Sequence, residues 1–382
     1  MIDQLTITNF KAFASADIRL APYTLLSGLN SSGKSTVLQA LALLRQASMQ
    51  GLLYDYADSR GFPLNGELVE LGTGQDVLHE DHVTPPGAEP EIGFRISVDS
   101  ATQYEWRARY KREDELLPLT FYEPSSTGES FRGEEAAAQT LFNPGFQYLR
   151  ADRINPAVTY PRSREMSIRP GFLGVRGEYT IDYLRHHQDD AIQFPALYHR
   201  DASPRLLSQA EAWMSEICPG VKIQATAIEQ TDLVRLGFQF TRRGRVTPEP
   251  YRPTNVGFGL TYVLPVVIAC LTARPGSMIL LENPEAHIHP QGQSAMARLT
   301  CAAASIGAQF VVETHSDHIL NGVRLAVKRG LLPAEDVVLH YFQREDDGIH
   351  ILSPTIGPDG MLSHWPPGFF DEWDRSLDQL LD

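Results

Sequence analysis

Apolar residues at the start of the chain recur at every second position. Leu5 and Ile7, then Ile18 and Leu20, alternate with polar neighbours and predict two half-buried strands. Residues 23 to 27 form a short apolar run, the pattern of a buried strand. From about 34 to about 50 the apolar period lengthens to that of a helix. Residues 92 to 110 alternate again and predict a hairpin turning near Asp99 and Ser100. Residues 120 to 150 are polar and glycine-rich, with 125 to 128 expected as a loop. A helix over 205 to 217 and strands over 222 to 240 follow. The last third changes rhythm: strand at 278 to 281, helix after Pro290, strand at 310 to 313, helix from about 316 to 329, strands near 337 to 342 and 349 to 352. That succession predicts a parallel sheet with helices packed on it, hence an α/β fold. Neither a repeat nor a heptad run suggests a long coiled-coil arm.

Composition narrows the setting. With 382 residues, 42% of them hydrophobic, the chain can bury one large core or two modest ones. The net charge of -14 opposes non-specific attraction to nucleic acid or an anionic membrane, so any such contact requires a local patch. Cys218, Cys270 and Cys301 lie far apart, against a disulfide framework or a zinc site. The first residues lack the order of a signal peptide, and no apolar run reaches the length of a membrane span. A cytoplasmic location is expected.

The segment from Gly28 to Ser35 meets the pattern Gly-x-x-x-x-Gly-Lys-Ser. Glycines let such a loop curl so that backbone N–H groups and the following helix N-terminus face phosphate oxygens. Lys34 is expected to neutralise the β- and γ-phosphates and Ser35 to ligate Mg²⁺. Asn30, Ser31, Ser32, Gly33 and Thr36 complete the cradle, so ATP and Mg²⁺ are the implied cofactors. A strand precedes the loop and a helix continues it, the context the motif needs.

Two later strands end in polar groups at what would be the ligand edge of a parallel sheet. Residues 278 to 281 run into Glu282, expected as the carboxylate on the Mg²⁺ side. In the following segment, 283 to 290, Glu285 is the expected base for an attacking water. Glu285, His287 and His289 lack the helical spacing of a zinc protease. The second strand, Val311-Val312-Glu313, leads to Thr314 and His315, and a histidine there can bond a γ-phosphate.

The opening Leu-Thr-Ile-Thr-Asn-Phe-Lys-Ala-Phe, the phosphate loop, Glu-Asn-Pro-Glu-Ala-His-Ile-His-Pro and Glu-Thr-His-Ser-Asp-His together resemble the ABC-type ATPase heads of the SMC, RecF and OLD group. More narrowly, the chain resembles bacterial standalone ATPases of this group that end in a Trp-Pro-x-Gly-Phe-Phe signature, here Trp365 to Phe370. The resemblance implies that Glu282 is the Walker B acid, that His315 is the switch histidine, and that residues 255 to 259 are the ABC signature. Asn255 and Gly257 would then reach the nucleotide held by a second copy. A homodimer closed through its ATP sites is implied, with higher oligomers as an extension, together with a separately encoded effector in bacterial antiphage or toxin-type defence.

Three departures qualify that picture. Asn283 stands where the group carries its catalytic Glu, which implies slow turnover or activation of water by Glu285. Asn255 replaces the signature serine. No clear Q-loop stands out, and Gln75, after Leu71-Gly72-Thr73-Gly74, is the best candidate for one. About 65 residues follow the switch-histidine segment, fewer than the nuclease domain of the OLD enzymes requires, and Asp346, Asp347, Asp371, Glu372 and Asp374 are expected on the surface. Arg150, Arg153, Arg162, Arg164, Arg169 and Arg176, interleaved with Tyr148, Tyr160 and Phe172, could grip nucleic acid or pair with acids across a protein interface. Arg242, Arg243 and Arg245 are expected in a solvated turn.

The expected layout is an N-terminal ATPase lobe with the phosphate loop at 1–120 and an inserted middle region at 121–250. A C-terminal ATPase lobe at 251–332 carries signature, Walker B and switch histidine, and a small C-terminal domain occupies 333–382. The expected function is an ATP-driven switch that controls a partner effector. A DNA-repair ATPase and a non-hydrolysing assembly scaffold are the alternatives.

Overall fold

The computed structural model describes residues 1–53, 60–84, 87–98, 102–123, 139–168, 171–242, 245–246, 249–346 and 348–381. In chain order the strands are β1 (Ile2–Phe10), β2 (Phe13–Arg19), β3 (Tyr23–Gly28), β4 (Gly61–Pro63), β5 (Glu91–Val98), β6 (Thr102–Arg109), β7 (Leu116–Glu123), β8 (Gln147–Leu149), β9 (Thr159–Pro161), β10 (Val221–Ala227), β11 (Leu233–Arg242), β12 (Arg245–Val246), β13 (Met278–Glu282), β14 (Gln309–Glu313), β15 (Val337–Glu345) and β16 (Gly348–Leu352). The helices are α1 (Lys34–Met49), the single turn α2 (Gly74–Val77), α3 (Thr180–His187), α4 (Leu206–Ser215), α5 (Phe258–Leu271), α6 (Pro290–Ser305), α7 (Asp317–Lys328) and α8 (Glu372–Leu381).

The central sheet runs β16-β15-β3-β14-β13-β8. All its neighbouring pairs are parallel except β15 with β16. Its strands are apolar on both faces, as a sheet covered on both sides requires. Side chains alternate between two cores. Met278, Leu280, Val311 and Leu26 face a layer made by α1 and an antiparallel sheet ordered β2-β1-β5-β6-β7-β4. Ile279, Leu281, Phe310, Val312 and Leu25 face α5, α6, α7 and a small sheet of β9 to β12. Gln309 fastens the layers together: its buried amide accepts from the Ile2 N–H at 3.2 Å and donates to the Ile2 carbonyl at 2.6 Å.

The hairpin expected over 92–110 is β5 and β6, in antiparallel register from Glu91↔Arg109 to Val98↔Thr102. Its turn at Asp99 and Ser100 lies outside the described residues, as do the loop expected at 125–128, Arg169, Arg243 and Asp347. Two segments join the central sheet from outside the lobes expected to build it. β8, from the middle region, pairs with β13, and β15, from the C-terminal region, pairs with β3 along its whole length. The Trp-Pro-x-Gly-Phe-Phe segment packs on β15: Phe369 is buried with its ring 5.1 Å from Tyr341, and Gln343 donates to the Pro367 carbonyl at 2.8 Å. No helix among the described residues is long and apolar enough to cross a membrane.

Candidate nucleotide site

The phosphate loop leaves the tip of β3 and enters α1 through residues that need left-handed or glycine-only backbone. Gly28 has φ 136, Ser31 φ 62 and Gly33 φ 93. A Cβ on Gly28 would collide with the Phe342 carbonyl of β15. One on Gly33 would lie 2.6 Å from the Phe13 ring. The loop is therefore seated between the β1–β2 corner and β15. Gly33 caps α1 without a side-chain hydrogen bond, which leaves the first N–H groups of the helix to serve an anion.

Lys34 folds back into the loop, donating to the carbonyls of Leu29 at 2.6 Å and Gly28 at 3.1 Å. Its ammonium lies 3.9 Å from Glu313. Burial lowers its pKa, an effect the Glu313 charge opposes. The Ser35 hydroxyl donates to Glu313 Oε2 at 2.8 Å. Thus the partner of the P-loop serine is Glu313, a residue the sequence did not single out. The reason is strand order: β14 lies between β3 and β13, so its last residue is nearest the loop.

Glu282 ends β13 beside Glu313 in register. Its carboxylate accepts from the Tyr148 hydroxyl at 2.5 Å and the Ala151 N–H at 2.9 Å. Glu285 is buried, and its Oε1 accepts from the His315 N–H at 2.9 Å. Burial raises its pKa, against hydrogen bonds from the His315 backbone and Thr314 and the charge of Arg153. Burial likewise lifts Glu313 to about 7, reinforced by Glu282 and Glu285 and opposed by Ser35 and Lys34. His315 is exposed at the tip beyond β14, and desolvation followed by the Lys34 charge lowers its pKa, which favours a neutral ring.

The Glu285, His287 and His289 side chains diverge. His287 packs 4.9 Å from the Tyr262 ring, while His289 Nδ1 accepts from the Gln291 N–H at the start of α6. Among the described residues no three His, Cys, Asp or Glu side chains converge as metal ligands. A Mg²⁺ ion here would need phosphate oxygens to complete its shell, as Mg²⁺ in nucleotide sites commonly does.

A cavity of about 900 Å³ opens over the loop, lined by Asn30 to Thr36, by Lys11 and Phe13 from the β1–β2 corner, and by Gln75 and Glu313. That volume suits a nucleotide. Arg344 and Asp346 on the β15–β16 side close another wall. Gln39 Oε1 also borders it, buried and without a hydrogen-bond partner among the described residues. The glycine cradle, the uncapped helix start, Lys34 and Ser35 together fit a nucleoside triphosphate with Mg²⁺. Asn255 and Gly257 are exposed just before α5, outside this cavity, and a Cβ on Gly257 would meet nothing within 4 Å. Gly259 differs, for its Cβ would lie 2.5 Å from the His287 carbonyl, so the start of α5 touches the loop after β13.

The arginine cluster is largely committed within the chain. Arg153 is 1% exposed. Its guanidinium donates to the carbonyls of Glu282 and Asn283, each at 2.6 Å, and to those of Arg150 and Tyr262, each at 3.1 Å. It also stacks 4.3 Å over the Tyr262 ring. Burial draws it down to about 10, opposed by Tyr262 and by Glu285, Glu282 and Asp152. Arg150 pairs with Asp152 at 3.0 Å, and Arg162 lies 3.5 Å from Asp182. Tyr148 and Tyr160 are buried and unavailable for stacking on bases. Sequence reasoning missed Glu313 and Arg153 as site residues. An acid closing an apolar strand two residues before His315 was the available signal for the first, and nothing local signals the second.

Residues 1–82 match the family described as an AAA ATPase domain. Residues 229–321 match an AAA domain family described by reference to the AbiEii toxin of type IV toxin–antitoxin systems, and 332–380 match a family described as protein of unknown function (DUF3696). The chain is 24% identical over 364 residues to an OLD nuclease of Thermus scotoductus, an alignment covering 91% of this chain and 65% of that protein. The chain thus spans less than two thirds of that relative's length. It is 34% identical over 114 residues to the DNA replication and repair protein RecF of Mesorhizobium japonicum, covering 26% of this chain and 27% of RecF. In fold it is similar to an SMC head solved with the C-winged helix domain of ScpA, with a TM-score of 0.52 at 14% identity over 93% of this chain and 97% of that one.

Proposed function

We propose that this chain, an ATPase of the SMC, RecF and OLD type, works as a nucleotide-controlled switch: two copies close around ATP, and the closure is passed to a separate effector. The observation that carries this reading is the division of the site. Lys34 and Ser35 face the cavity from one side, whereas Asn255 and Gly257 stand exposed outside it, free to meet the nucleotide of a second copy. With nucleotide bound, Lys34 would exchange its bonds to the Gly28 and Leu29 carbonyls for phosphate oxygens, and the Ser35 hydroxyl, now given to Glu313, would help hold the ion. Mg²⁺ held there would neutralise charge between the β- and γ-phosphates. His315, as a neutral ring, is our candidate to bond the γ-phosphate and Glu285 our candidate to take a proton from water, although neither lines the cavity of the single chain.

The match to a toxin–antitoxin-related family supports a setting in defence, with the effector encoded elsewhere. Asn283 favours a second version of the same switch, in which ATP assembles the dimer and hydrolysis is slow, because a carboxamide takes no proton. The test is solution mass by light scattering with and without Mg²⁺-ATP. The Glu285→Gln protein is expected to double its mass with ATP, while Lys34→Ala and Gly257→Asp stay monomeric. A Glu285→Gln protein that binds ATP and remains a monomer would overturn the reading.

A further inference from the structure

We propose that the C-terminal helix α8 docks on a second copy of the chain, at an apolar patch with a basic rim formed by α7 and the segment that follows β16. Arg324 organises the patch: its Nε donates to the Gly360 carbonyl at 2.8 Å, and its guanidinium lies 5.4 Å over the Trp365 ring. Gly360 sits so close to the next turn of α7 that a Cβ there would lie 3.2 Å from the Lys328 Cβ. Met361 and Trp365 are thereby held against the turns that carry Leu325 and Lys328, which share a face three residues apart. Leu325 is 45% exposed, Met361 57% and Trp365 46%. Residues 318–329 carry Arg324, Lys328 and Arg329 and no acid, in a chain whose net charge is -14.

The counterpart is α8. Leu377, Leu380 and Leu381 fall on one helix face by their spacing, and Leu380 and Leu381 are each 82% exposed, so the chain itself leaves that face uncovered. Residues 371–382 hold five acids against Arg375 alone. That charge turns the helix away from anionic lipid, since helices that lie on membranes carry Lys and Arg, and toward a cationic apolar surface. To reach the patch of its own chain, α8 would have to fold back across the turn closed by the Gly368 N–H, which donates to Asp371 at 3.0 Å. A second copy is the remaining source of the helix. One face of a helix of 10 residues covers far less than the roughly 1,200 Å² of a stable interface. The contact is therefore weak and matters at high concentration or between copies already joined. It needs no nucleotide and does not depend on the switch proposed above.

The experiment is sedimentation equilibrium of the full chain in EDTA without nucleotide. The parent is expected to be monomeric at low micromolar concentration and to gain mass as the concentration is raised about a hundredfold. Leu380→Ser with Leu381→Ser, and separately Leu325→Glu with Met361→Glu, are each expected to weaken that association by about tenfold or more. Mixed in equal amounts, these two proteins should associate again, because the first keeps its patch and the second its helix, a recovery that misfolded variants would not give. Lys328→Glu is expected to weaken the parent's association about threefold and to blunt its dependence on salt. A parent that stays monomeric throughout, a double variant that associates like the parent, or a mixture that stays monomeric overturns the proposal. Failure of ATP to double the mass at low micromolar concentration would instead sink the switch reading and leave this contact untouched.

Discussion

Replacing Arg153 by Met should loosen the floor of the site. The guanidinium satisfies four backbone carbonyls at once, two of them at the junction of β13 with the loop that carries Glu285. Each carbonyl left without a donor costs about 1–2 kcal/mol, or about 6 kcal/mol for the set. Against this, the buried cation carries its own penalty. Its pKa, drawn from 12.5 to about 10 by burial against the opposing pull of Tyr262 and nearby acids, corresponds to a net penalty of about 3 kcal/mol on the charged form that the substitution relieves. The net expectation is a loss of about 3 kcal/mol, in the range for removing one partner of a buried charged contact. Arg153→Lys should recover less than half, since one ammonium cannot span four acceptors in a planar fork. Urea unfolding of the three proteins gives the stability differences. Hydrogen exchange over residues 282–288 should show the same loss of protection. An Arg153→Met protein within 1 kcal/mol of the parent, with unchanged exchange in that loop, would refute the bracing role.

Gly28→Ala meets both a positive φ and the Phe342 carbonyl, so it should destabilise the chain by about 2 kcal/mol or more and abolish fluorescent ATP binding. Gly257→Ala, with open space around it, should leave stability within 0.5 kcal/mol in the same urea assay. The raised pKa of Glu313 makes the nucleotide-free fold pH-dependent. A carboxyl lifted in the folded state contributes stability that is fully present below its unfolded value, near 4.5, and is lost as pH rises through about 7. Glu313→Gln should therefore match the parent near pH 4.5 and become the more stable protein by up to about 3 kcal/mol above pH 7. Urea midpoints across that range check the sign, and a gap that narrows with rising pH would contradict it.

The parts of the site written contiguously were legible. The phosphate loop and the strands running into Glu282 and Glu313 declare themselves through spacing and polarity, and the structure places all three at one edge of the central sheet. What the sequence hid is which strand lies next to which. Pattern gives each strand a length and a face but not its neighbours, so the pairing of Ser35 with Glu313 was out of reach. The same limit hid the need for glycine at Gly28, which arises from a carbonyl in β15. Arg153 shows a different limit. Among other arginines it looked like part of a surface patch, and only tertiary packing reveals that its charge is spent inside on carbonyls.

The position of β3 bears on how the protein is made. Tyr23 pairs with Phe310 on one side and with Val337 on the other, so the strand that leads into the phosphate loop has no neighbour in its sheet until β14 has been synthesised and only one until β15 has followed. At about 5–20 residues per second, a ribosome needs roughly 15–60 s to cover the intervening roughly 300 residues. During that interval an apolar strand waits for its partners, and the loop after it has the β1–β2 corner but lacks the wall that β15 supplies. A translation product released before β15 has emerged would carry the whole phosphate-loop motif and still be unable to form the site, so competence to bind nucleotide doubles as a check that synthesis has passed β15.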